Sequence, residues 1–422
     1  MNAAHANTKS HSTLASPRNL IFRIRRDRLW FYTSPREWVQ ATRTPWLHDG
    51  LLGSAGTPVV DRALHRAWTN RVTWQVNNSN KIAATYEWMQ KTNFMAGLSG
   101  STRPEAANVY GHRPFFYALS KWTSVVKKRI FVETGYSISY KDYYMNPQPG
   151  IPLEAPAKQD VGLGLTFGNT SRYIDHWQRH DFVVGSVTYV TGSHLLKAGV
   201  QWDAGYDRVA NFSSNGSLTQ VYRSRVPFSV NVYDFPSLTQ ADVRNWGLYV
   251  QDSWRLKRLT INPGVRWDRF VGSLPSLTMP GGRFAPARSF AAIDDLPNWR
   301  DIAPRFGASL DLFGGGKTAV KGSAGKYMIQ YGSGLVFQYN PSNSASVVTP
   351  DPRDWNDLNG DDIAQDNEIG PSRNPSWGVQ PNRRPEQDRS FDVLYNLSLD
   401  HEVVSGLGVT LAYNRRDTRN LS

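Results

Sequence analysis

The 422-residue sequence contains no cysteine, which removes disulfide frameworks and thiolate metal sites from consideration. No stretch approaches the ~18 apolar residues of a membrane-crossing helix, and mean hydropathy is negative. A helical membrane protein is thereby excluded. Crossing by strands is not, since a membrane strand needs only ~9–11 residues and alternates apolar with polar positions. The first residues, Met1 to Arg18, are polar and lack the apolar core of a secretory signal. Segment 1–18 therefore reads as a disordered or non-native lead-in. No G-x-S-x-G elbow is present, no Ser–His–Asp order suggests itself and no carboxylate pair stands out, so no catalytic residue is nominated and an enzyme is not expected. Lys and Arg exceed Asp and Glu to give a formal charge of +13. The basic residues are scattered, in small clusters at Arg25–Arg26, Lys127–Arg129 and Arg255–Arg258, without a continuous arm. Nucleic acid is not an expected partner.

What is abundant is glycine (34), tyrosine (19) and tryptophan (15), set in runs of period two. Arg66–Val76, a turn at Asn77–Asn80 and Lys81–Lys91 form the first clear hairpin. Trp68, Val72, Trp74 and Val76 share one face with Ile82, Ala84, Tyr86 and Trp88, while Thr69, Arg71, Thr73, Gln75, Thr85 and Glu87 take the other. The same pattern recurs at Phe115–Lys141, Trp177–Tyr206, Val243–Phe270, Ala303–Met328 and Asp388–Arg416. A strand at Leu29–Trp38, paired with Leu20–Ile24, precedes them. Every short turn is followed by a long connection rich in Gly, Pro, Ser and Asn: Gln40–His65, Thr92–Pro114, Asp142–His176, Asp207–Asp242, Val271–Ile302 and Ile329–Gln387.

Antiparallel strands put every second connection on the same side of a sheet. A soluble sandwich has no reason to keep all its long loops at one end, whereas an outer-membrane barrel does, with short periplasmic turns and long extracellular loops. The fold class expected is all-β: a transmembrane antiparallel β-barrel of about 13–14 strands spanning residues 19–422. Such a count is a part of a larger barrel, because the big outer-membrane transporters have 22 strands. Tryptophans such as Trp30, Trp38, Trp68, Trp88, Trp202, Trp246 and Trp254 fall toward strand ends, where interfacial girdles sit. Lipid of the outer membrane is the expected surroundings.

Three local patterns invite chemistry. Asp357–Glu368 places oxygen ligands at the spacing of a calcium loop: Asp357, Asn359, Asp361 and Glu368, with the carbonyl of Ile363. Position six is Asp362 instead of glycine and no helical pattern flanks the loop. A structural Ca²⁺ is the one cofactor suggested, and none is required. Gly314–Thr318 has the look of a phosphate loop, but Asp311 stands where the first glycine belongs, so a hairpin turn is expected. His176 and His180 lie on a strand and are not expected to converge on a metal.

Several stretches resemble the barrel of TonB-dependent receptors, particularly the Oar-like branch. Trp246-Gly-Leu-Tyr-Val-Gln-Asp-Ser-Trp254 followed by Leu259-Thr-Ile-Asn-Pro-Gly-Val-Arg-Trp-Asp268 is similar to a hairpin common in that family. Asp301–Gly307 with Phe313–Thr318, Arg26–Tyr32, Thr191–Val200 and Pro385–Tyr413 fit in the same order. The resemblance implies a Gram-negative outer-membrane receptor that imports a siderophore, oligosaccharide or peptide with energy relayed by TonB. It implies Gln75, Glu87, Asn262, Arg266 and Asp268 as part of the lumen wall. It also implies a signal, a TonB box and a plug ahead of the barrel and further strands after it; none is recognised here, so the sequence reads as the barrel portion. An adhesion barrel without transport and a soluble carbohydrate-binding β-protein stay open beside this reading.

Overall fold

The computed structural model describes residues 10–14, 19–48, 58–341, 350–374 and 388–420. Their dominant feature is one 15-stranded sheet in which consecutive long strands are neighbours and every pairing is antiparallel. The long strands are Leu29–His48, Pro58–Asn77, Asn80–Ala96, Asn108–Lys127, Ile130–Asn146, Tyr173–Thr191, His194–Phe212, Ser237–Leu256, Leu259–Ser273, Asn298–Asp311, Thr318–Met328, Phe391–Val404 and Leu407–Arg419. Ser10–Leu14 and Leu20–Arg25 together line the free side of Leu29–His48. Of the lead-in segment 1–18, only Ser10–Leu14 falls among the described residues, and it is a strand.

Register shows why the sheet has two chemically distinct faces. Side chains on paired residues share a face, and one row crosses ten strands through Leu29, Trp74, Ile82, Trp122, Thr134, Gly185, Val200, Leu248, Trp267 and Ile302. This face leaves Leu248 49%, Val250 49% and Ile302 62% exposed, far too much apolar surface for water. The opposite face carries Arg36–Glu87, Lys121–Glu133, Arg266–Asp268 and Lys321–Asp400 ion pairs. Gly247 sits under the Arg266 guanidinium, whose Nη2 would lie 2.0 Å from any added Cβ. Apolar outside and polar inside is the arrangement of a membrane barrel.

The expected turns are where the sequence puts them. Asn77 pairs with Asn80, Lys127 with Ile130, Thr191 with His194 and Leu256 with Leu259. Asp311 closes the Gly-rich turn by accepting from the Gly314 and Gly316 N–H groups, each at 2.9 Å, so the residue that spoils a phosphate loop makes the hairpin. The strands overrun their expected ends at the loop side: Pro58–Asn77 replaces Arg66–Val76. Backbone pairing continues above the apolar band because nothing there requires the strand to stop. The aromatic girdle is divided between faces. Trp68, Trp88, Trp122, Trp202, Trp246 and Trp254 share the outer face, but Trp30 and Trp38 pair with inner-face Thr73 and His65.

Candidate extracellular cap and inner-wall site

Three long connections fold against one another. Ala157–Asp160 and Leu165–Phe167 from one loop, Leu218–Arg223 and Val226–Val232 from the next, and Asp351–Asp354 from a third form a five-stranded sheet. Its order runs Asp351–Asp354, Val226–Val232, Leu218–Arg223, Ala157–Asp160, Leu165–Phe167. Leu218, Tyr222, Val230, Val232, Trp355 and Ala364 make its buried core. A fourth loop joins through Thr166, which takes the N–H of Arg103 and gives its own to Ser101. A fifth joins through Arg283, bonded to Asp366 at 2.5 Å, and Arg288, bonded to Asp234 at 2.7 Å. The extracellular ends of separate hairpins thus share one small domain.

Two buried carboxylates fasten it. Asp160 accepts from the N–H groups of Gly162, Leu163, Ser224 and Arg225 at 2.6–3.0 Å. Ser224 and Arg225 both hold positive φ, 52° and 72°, so this carboxylate offsets a tight turn that neither residue favours. Burial pushes the Asp160 carboxyl up, but its backbone donors prevail and leave it below its ordinary value. Glu368 behaves likewise: burial raises it, and the N–H groups of Leu358 and Gln365 with the Trp355 indole bring it lower.

The calcium spacing gains a different use here. Asp357 accepts from Gly360 and Asp362, Asn359 from Asp361, and Asp361 from Ile363, each at 2.9–3.1 Å. Asp362, at φ 61°, takes the left-handed turn that glycine would take and aims its carboxylate at the sheet. There it accepts the Tyr222 hydroxyl at 2.7 Å and pairs with Lys158. Burial and this carboxylate together push the Tyr222 hydroxyl well above its ordinary range. Among the described residues no group of three or more His, Asp or Glu side chains is placed to hold a metal ion. Asp357, Asn359, Asp361, Glu368 and Ile363 share one loop, in which the Asp, Asn and Glu side chains accept from the loop's own N–H groups. Millimolar calcium or a chelator is expected to shift the unfolding temperature by less than about 1 °C, since a saturated site would stabilise by several degrees. A calcium-dependent rise of that size would show the loop rearranging around the ion.

Below the cap, residues 329–341 turn back onto the inner wall. The short helix Ser333–Phe337 buries Val336 against Ala241, Val243, Phe270, Leu274 and Leu296. Gly272 makes this approach possible, for a Cβ there would meet Val336 Cγ2 at 2.5 Å. Between this segment and the wall lies a cavity of about 450 Å³ whose lining mixes Phe115, Phe182, Tyr206 and Tyr331 with Lys141, His180, Asp203 and Asp207. His176 pairs with Asp207 and His180 with Asp203, so the two histidines have separate carboxylate partners. Gln75, Glu87, Asn262, Arg266 and Asp268 all fall on this inner face by register.

Residues 58–422 match the family model described as outer membrane beta barrel domain. The chain belongs to that family. Its place is the outer membrane, and its partner there is lipid. Solved structures share the fold at low identity. The outer membrane transporter YddB from Escherichia coli superposes with a TM-score of 0.62 at 11% identity, over 95% of this chain and 46% of that one. The ferric yersiniabactin uptake receptor FyuA from Yersinia pestis gives 0.53 at 11%, over 96% and 52%. The ferric-catecholate import receptor Fiu from E. coli K12 gives 0.51 at 11%, over 97% and 57%. The chain therefore spans about half the length of these proteins. No protein of curated function matches it by sequence.

Proposed function

We propose that the protein supplies the barrel and ligand-capturing loops of an outer-membrane receptor that imports a scarce substrate, using energy relayed by TonB to a plug inside the barrel. The observation that carries this reading is the cap: separate loops condensed into one folded domain above an inner-wall cavity lined by both aromatic and charged side chains. An adhesin needs exposed loops but has no use for a cavity beneath them. The solved proteins of this fold named above are a transporter, an uptake receptor and an import receptor, which supports the same reading. Siderophores, oligosaccharides and peptides all suit a cavity in which carboxylates, amides and a lysine stand among aromatic rings. The test is uptake by the source bacterium of labelled ferric siderophores, oligosaccharides and peptides. One of these is expected to lose uptake both when this gene is deleted and when TonB is disrupted. Uptake lost with the gene but indifferent to TonB would refute energised transport, and no uptake defect for any probe would refute transport.

A further inference from the structure

On the outer face, the apolar band ends toward the loops in a cluster of arginines. Arg269 and Arg300 are direct cross-strand partners, in the row that continues from Trp202 and Trp246. Arg244 stands one step above Trp246 on the same face, diagonal to Arg269. Like charges directly opposite on a sheet repel, with Cβ atoms about 5 Å apart. Among the described residues no carboxylate bonds them directly; Asp295 reaches Arg269 only through Asn298, whose amide donates to it at 2.9 Å. Among the described residues none of the three makes an ion pair, and their one side-chain hydrogen bond runs from Arg269 to the Asn298 amide oxygen at 3.1 Å. Asp242, the next outer-face residue above Arg244, makes no ion pair with it and accepts from the Gln240 amide at 2.9 Å. Asp181, two strands away, is held by Arg179 and Tyr136. Several other outer-face arginines near this boundary have partners: Arg66 has Glu37, Arg179 has Asp181, and Arg208 lies over the Trp177 ring.

We propose that Arg244, Arg269 and Arg300 form a binding site for the phosphate of a lipid headgroup in the outer leaflet. Position decides between a lipid and a soluble anion. The cluster lies on the lipid-facing side, level with and just above the outer-face Trp202–Trp246 pair, whose rings stand 6.1 Å apart. Amphipathic rings at that place mark headgroup depth. Three arginines adjoining on one face suit phosphate oxygens, which accept bidentate hydrogen bonds from guanidinium forks. A bound phosphate would also cancel the repulsion that the bare register leaves. Acyl chains of the same lipid would run down the Val200, Leu248 and Trp267 surface.

The whole chain, folded in a zwitterionic detergent, would be titrated with phosphatidic acid and with phosphatidylcholine and followed by native mass spectrometry. Phosphatidic acid is expected to be retained preferentially, and the variant Arg244→Gln/Arg269→Gln/Arg300→Gln to bind it about ten-fold more weakly. Arg300→Gln alone, at an exposed and unpartnered side chain, should lower the affinity by a smaller factor and secures the test should the triple variant fold poorly. A control, Arg25→Gln/Arg26→Gln/Arg28→Gln, removes equal charge at the opposite turn and should bind as the parent does. Equal loss in that control, or unchanged binding in both cluster variants, overturns the proposal. Full displacement of the lipid by inorganic phosphate would show a soluble anion to be the ligand and overturn it as well.

Discussion

Tyr222→Ala is expected to unfasten the extracellular cap while leaving the barrel folded. The ring is 5% exposed and stands edge-on to Trp355, with centroids 5.6 Å apart, and tilted against Phe167 at 5.9 Å. Its hydroxyl serves Asp362 and receives the Gln220 amide at 2.8 Å, so one side chain joins three loops. Truncating a buried aromatic of this kind costs about 3–5 kcal/mol. A small satellite domain has little stability to spare. Hydrogen exchange should rise across Leu218–Val232 and Asp351–Glu368, and protease added to intact cells should cut there. The strands below should keep their protection. Tyr222→Phe keeps the packing and deprives Asp362 of one donor, a loss of about 1–2 kcal/mol, and should give an intermediate pattern. Parent-like exchange in the alanine variant would mean that the loops are not held by this core.

The barrel was legible in the sequence because its two signals are strong and repeat. Alternation in Lys81–Lys91 and Leu259–Trp267 names the face of each residue, and register turns those local faces into one continuous surface. The cap was not legible. Its strands are three to seven residues long, from Leu165–Phe167 to Val226–Val232, too short for period two to stand out from loop composition. Its sheet is also assembled across connections far apart in the chain, such as Val230 opposite Arg353, which no local pattern encodes. The Asp357–Glu368 spacing was visible but ambiguous. Closely spaced Asp and Asn side chains serve either a cation or their own backbone N–H groups, and the choice depends on what packs beneath them. Asp362, the departure from the calcium pattern, proved to be the contact between loop and sheet. Trp30 and Trp38 were misassigned to the girdle for a similar reason. Their distance from a strand end says nothing of which face they take, and parity places both inward.

The two-faced sheet predicts opposite outcomes for one chemical change made on neighbouring strands. Leu248→Arg puts a guanidinium in the middle of the outer apolar row, between Val200 and Trp267. In lipid this should cost about 2–4 kcal/mol near the membrane midplane, because the charge loses water and gains no partner. Gln201→Arg adds the same group one residue from Val200 but on the inner face, in the row of Gly247 and Asp268. That wall already carries Arg266 and Asp268, so the change should stay within about 0.5 kcal/mol. Denaturant titration of protein refolded into vesicles, read by heat-dependent mobility on gels, separates the two. A sheet whose apolar face met water or another protein domain would show the reverse for Leu248→Arg: equal or better solubility and no loss of folded protein. The size of the difference between the variants therefore reports directly on what the outer row touches, independently of any ligand the loops bind.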